Sequence, residues 1–129
     1  MRAPIGMKTT IGIDTPAAVA WKEALTGKLV LVGLTFVDDA GQLLDQFQTA
    51  GRVETGEEPG LWLRLADGGL FRVPAAPDVV RPAGPGEYRL RHSGERVTDP
   101  DFLGHWEVAV RGRAEMERYR ERGFPAAAE

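Results

Sequence analysis

One ten-residue stretch, Lys28-Leu29-Val30-Leu31-Val32-Gly33-Leu34-Thr35-Phe36-Val37, constrains this chain more than any other. Its apolar residues fall on both alternation phases, the pattern of a strand buried on both faces. It therefore reads as the central strand. Gly33 in its middle predicts a bend or bulge, as a small barrel needs where a strand changes sheets. A chain of 129 residues, 43% of them apolar, is long enough to bury one core around such a strand without metal or disulfide staples.

The flanking sequence divides into short elements. Thr15 is a good N-cap, Pro16 suits the first helical position and Gly27 suits the left-handed position past the end, so residues 16–25 form a helix. Ala18, Trp21 and Leu25 share one face, with Trp21 its anchor and Lys22 and Glu23 off the stripe. After the turn at Asp38-Asp39-Ala40-Gly41, residues 43–54 alternate, with Leu43, Phe47, Thr49, Gly51 and Val53 expected inward. Residues 61–65 alternate more cleanly, Leu61, Leu63 and Leu65 inward, Trp62 and Arg64 outward. Asp67-Gly68 signals a hairpin to residues 70–73, which Pro74 ends. An irregular crossing with four prolines (Pro74, Pro77, Pro82, Pro85) leads to a fifth strand at 87–91, with Tyr88 and Leu90 inward. Residues 102–110 make a sixth, and 113–122 a charged helix docking through Met116 and Tyr119, with Phe124 a further candidate contact.

A short helix followed by five or six short, bent strands predicts a mainly β fold, a small SH3-like or Sm-like β-barrel with an N-terminal and a C-terminal helix. A twisted open sheet with flanking helices is the alternative. Residues 1–13 read as a loose lead-in, 14–112 as the single barrel domain, and 113–129 as the C-terminal helix and a frayed tail. The segments Gly27–Phe36 and Pro85–Arg91, then Pro100-Asp101-Phe102 and Trp106, resemble small uncharacterised bacterial proteins of this barrel pattern. That resemblance, over about residues 27–110, implies the fold and no activity.

Absent cysteine excludes disulfides, thiolate catalysis and Cys-based metal centres. No apolar run approaches the ~18 residues of a membrane span, and Met1–Lys8 leads into no apolar signal region, so the expected location is cytoplasmic. Met7 is an alternative start. The net charge is −3, and neither half of the chain is strongly basic, which disfavours a duplex-DNA binder. The basic residues are 13 Arg and 3 Lys, a bias read as that of a GC-rich genome.

The chemistry-bearing residues favour no catalysis. Ser93, the only serine, neighbours His92 in a Ser-Gly turn that is no nucleophile elbow. His92, Asp99, Asp101 and His105 match no compact metal motif. Asp38-Asp39 and Glu57-Glu58 sit in loops, and neither Gly68-Gly69 nor Gly84-Pro85-Gly86 opens a helix to cradle phosphate. No cofactor, metal site or catalytic residue is expected.

The outward-phase residues carry the functional reading. Gln46, Gln48, Arg52, Trp62, Arg64, Arg72, Arg89 and Arg91 all fall on expected solvent phases. On neighbouring strands they would form one face of planar, stacking and hydrogen-bonding groups. Trp and Arg are enriched at protein hot spots, so the expectation is a non-catalytic interaction module, antitoxin-type or regulatory, binding a protein partner through this face. The alternatives are single-stranded RNA, with Trp62 stacking a base and the arginines meeting phosphates, and an ordinary solvated sheet face with Trp62 covered by the proline-rich crossing or the C-terminal helix. Edge strands that pair between copies would make a homo-oligomer.

Overall fold

The computed structural model describes residues 11, 14–54, 56, 58–90 and 93–125. Two helices, α1 (Pro16–Leu25) and α2 (Arg113–Arg122), bracket eight strands: β1 (Leu29–Val37), β2 (Leu43–Glu54), β3 (Leu61–Leu65), β4 (Leu70–Val73), β5 (Val80–Pro82), β6 (Glu87–Arg89), β7 (Arg96–Thr98) and β8 (Phe102–Ala109). Six of them form one sheet in the order β4-β3-β2-β1-β8-β5, and β6 pairs β7 in a separate ribbon. Within this mainly β fold no helix of the described residues is long and apolar enough to cross a membrane.

β1 is central, as its two-phase apolar pattern predicts. Val30, Val32, Leu34 and Phe36 are fully buried on one face, in a single cluster with Leu25 of α1, Met116 and Tyr119 of α2, and Trp106 and Val108 of β8. On the other face Leu31 packs with Leu90 and Val97, beside Leu29, Ala50, Tyr88 and Leu103. The β6–β7 ribbon thus covers part of the second face, while both helices share the core of the first.

The sheet is open, which corrects the closed-barrel expectation. Its end strands, β4 and β5, do not pair with each other. Two causes are visible. β8 returns parallel to β1 rather than antiparallel, and parallel strands favour sheets with covered faces over a closed meander. The segment expected as a fifth barrel strand instead folds with Arg96–Thr98 into the ribbon, so Leu90 and Val97 cover the sheet rather than extend it. The edge of β4 is occupied as well. Phe124 donates its backbone N–H to the Arg72 carbonyl at 2.8 Å, and Ile11 donates to Pro125 at 2.8 Å. This edge is not free for pairing between copies.

Three local expectations change. Gly33 makes no bulge: pairing runs through it without a shift, and the irregularity lies between Phe36 and Val37. Its missing side chain instead admits His105, whose Nδ1 lies 2.6 Å from where a Cβ would stand. The bulge also turns Leu43 outward, where it is 62% exposed. Lys22, placed off the α1 stripe, is buried, with its ammonium 2.7 Å from Asp14 Oδ2 and donating to the Glu58 carbonyl at 3.1 Å. Thr15 caps α1 as expected, accepting from Ala18 N–H at 3.1 Å.

Candidate functional site

β-Pairing aligns Glu54, Trp62 and Arg72 across β2, β3 and β4, and Arg52, Arg64 and Leu70 beside them. Alternation puts all six on the face away from the helical core. Trp62 is half-buried, and the Arg72 guanidinium carbon sits 4.4 Å from its ring centroid, within cation–π range. Arg72 also donates Nε to the Phe124 carbonyl at 3.0 Å, which fixes the stack to the C-terminal segment.

The other two arginines of this patch are tied down. Arg64 grips Glu54 with Nε at 2.6 Å and Nη2 at 3.0 Å, and its Nη1 donates to the Gly68 carbonyl at 2.6 Å. The hydrogen bond from Arg64 holds the Glu54 carboxyl below its ordinary range, and opposite charge adds to it. The pair's contribution is therefore present above the ordinary carboxylate pKa and is lost as pH falls through the depressed value. Arg52 donates Nη1 to the Gly27 carbonyl at 3.1 Å.

The remaining residues of the expected face lie elsewhere. Gln46 and Gln48 are on the same side of β2 but opposite Thr35 and Gly33 of β1. They stand beyond Ala50, where the ribbon packs. Across β1 from them stands His105 of β8, its Nε2 2.6 Å from Thr35 Oγ1. Arg89 belongs to the ribbon, opposite Arg96. Arg91 and His92 lie outside the described residues, as does Glu57.

Ser93, Asp99 and Asp101 each make a local hydrogen bond to the backbone. Ser93 Oγ accepts from Glu95 N–H at 3.1 Å within its turn. Asp99 and Asp101 accept backbone N–H groups of Gly86 at 2.7 Å and Leu29 at 2.8 Å. No group of three or more metal-ligating side chains occurs among the described residues.

A cleft of about 710 Å3 opens between β4 and α2, and sequence reading missed it. Trp62, Leu70 and Arg72 form one wall, and Arg118, Tyr119, Arg122 and Phe124 the other. Tyr119 and Phe124 meet edge to face at 5.3 Å and anchor the far wall to the core. Gly123 permits the close approach: its φ of +79° suits glycine, and a Cβ there would strike the Arg72 backbone. A second hollow of about 270 Å3, lined by Glu54, Gly56, Glu58, Trp62 and Leu70, lies across the Trp62–Leu70 ridge. Three arginines and Glu115 thus line one side of the ridge, and Glu54 and Glu58 the other. The one sequence signal for the far wall was the Arg118–Arg122 spacing, which puts both on one side of α2.

Trp62→Ala should lower stability by about 1–2 kcal/mol, between the cost of a full core truncation and that of an exposed residue. Urea denaturation measures this; a loss above about 3 kcal/mol would mean the indole is a core residue.

Comparison with known proteins finds no matching family model and no significant match to a curated protein or a solved structure. Fold and site geometry define the chain as a mainly β protein, an open six-stranded sheet with helices on one face and a two-stranded ribbon on part of the other, with an Arg- and aromatic-lined cleft at one edge.

Proposed function

We propose that this chain is a non-catalytic binding module that holds a protein partner at the Trp62 ridge and the cleft beside it. One observation carries the reading: Trp62, stacked on Arg72, stands at the mouth of a cleft of about 710 Å3 whose other wall is aromatic and basic. A concave, largely apolar site with a few directed polar groups suits a ligand side chain or short segment, and Trp–Arg clusters dominate protein hot spots. Its role is then regulatory, acting by occupying a partner's surface.

RNA is the weaker alternative. Single-strand binders combine several stacking platforms with a continuous basic groove. Here one half-buried indole is available on the ridge, Arg64 is held by Glu54, and the chain carries a net charge of −3.

The test compares wild type, Trp62→Ala and Arg89→Ala as baits in a quantitative pull-down. The expected partner is retained by wild type and Arg89→Ala and lost from Trp62→Ala. Equal recovery by all three would place the interface elsewhere. Binding of an oligouridylate that weakens steeply with salt and requires Trp62 would favour RNA.

A further inference from the structure

Resting on that reading, we infer that the cleft takes an acidic–apolar peptide segment, with an apolar side chain against Trp62, Leu70 and Phe124 and a carboxylate clamped by Arg118 and Arg122. Charge complementarity carries the inference. Three arginines, Arg72, Arg118 and Arg122, line the cleft against one carboxylate, Glu115. That carboxylate is already engaged: its Oε1 accepts the Arg111 backbone N–H at 2.8 Å, and its Oε2 lies 3.6 Å from the Arg111 guanidinium. Arg118 has no carboxylate partner among the described residues, and Arg122 has only Glu121 at 3.6 Å, with both of those side chains mostly exposed.

Arg118 and Arg122 lie one turn apart on α2, about 6 Å along the axis. Like charges at this spacing oppose helix formation, and a bound carboxylate relieves that repulsion. Arg72 supports the same end of the cleft. Its Nε is committed to Phe124, while its Nη groups have no hydrogen-bond partner among the described residues.

The mode of binding is also constrained. The β4 edge beside the cleft already pairs with Gly123 and Phe124, so a partner cannot add a strand there. Recognition runs through side chains. Guanidinium groups suit this, because their planar fork matches a carboxylate with two parallel hydrogen bonds.

The probe is a fluorescein-labelled peptide of alternating leucine and glutamate, compared with peptides carrying lysine for glutamate or serine for leucine. Fluorescence anisotropy should show saturable binding of the leucine–glutamate peptide alone. Affinity should fall at least tenfold in Arg118→Glu/Arg122→Glu and in Trp62→Ala, and should weaken as salt rises. Both arginines are exposed, and an unchanged melting temperature of the double variant confirms its fold. No binding of the leucine–glutamate peptide, equal binding of the lysine peptide, or an unaffected double variant would overturn the inference. If the double variant keeps the pull-down partner while Trp62→Ala loses it, the acidic chemistry is wrong and the Trp62 interface stands. If neither variant loses it, both fail.

Discussion

Leu63→Ala will lower the unfolding free energy by about 3–5 kcal/mol, the cost of a buried leucine truncation that leaves a cavity. Leu63 is fully buried in the middle of β3, paired with Val53 on one side and Phe71 on the other. All three belong to the same core cluster. The neighbours are themselves held in a six-stranded sheet, so the space cannot close by a local shift. Phe47→Ala, on the same face but only half-buried and 6.3 Å from the Phe71 ring centroid, should cost less, about 2 kcal/mol. Urea denaturation of both variants checks the ordering. A Leu63→Ala loss no larger than that of Phe47→Ala would contradict the core assigned here.

Asp14→Ala will destabilise by about 3 kcal/mol, because it leaves a buried ammonium without its counter-charge. Asp14 and Lys22 are 2.7 Å apart, with side chains only 10% and 8% exposed. Asp14 also accepts the Gly60 backbone N–H at 3.1 Å, so that donor loses its acceptor while Lys22 is left with the Glu58 carbonyl alone. Removing both charges should be far milder: Asp14→Ala/Lys22→Met retains most of the wild-type stability, because no unpaired charge remains. A double variant as unstable as Asp14→Ala would show that Asp14 acts through the Gly60 loop alone.

These two sites show where sequence reading succeeds and where it stops. Leu63 was legible because burial in β3 follows strict alternation, a local signal. The strands β1 to β4 and both helices were legible for the same reason: each carries its own period, cap or turn. Lys22 was not legible, since its burial depends on Asp14 and Glu58, which meet it only after folding. The strands β5 and β7 are three residues each, with one buried residue apiece, too short to show a period. The parallel pairing of β1 with β8 joins residues about seventy positions apart, and no local pattern encodes it. Leu43 reads as inward until the bulge opposite Val37 is known.

The candidate site divides in the same way. Alternation on β2, β3 and β4 brought Arg52, Trp62, Arg64 and Arg72 to one face. The same reasoning grouped Gln46, Gln48 and Arg89 with them, because phase alone cannot show that a ribbon sits over Ala50 or that Arg89 belongs to that ribbon. The far wall of the cleft comes from α2 and Phe124, some fifty residues beyond Arg72. Arg118 and Arg122 acquire their meaning only once that helix is docked beside the indole.

Three indoles, at Trp21, Trp62 and Trp106, make the decisive measurement simple. In a nitrogen–proton correlation spectrum each gives one ring N–H signal, and Trp62→Phe assigns the second by its loss. Titration with the leucine–glutamate peptide should move the Trp62 signal and leave those of Trp21 and Trp106 in place. Movement of another indole while Trp62 stays fixed, or no movement at saturating peptide, would contradict a binding site at this ridge.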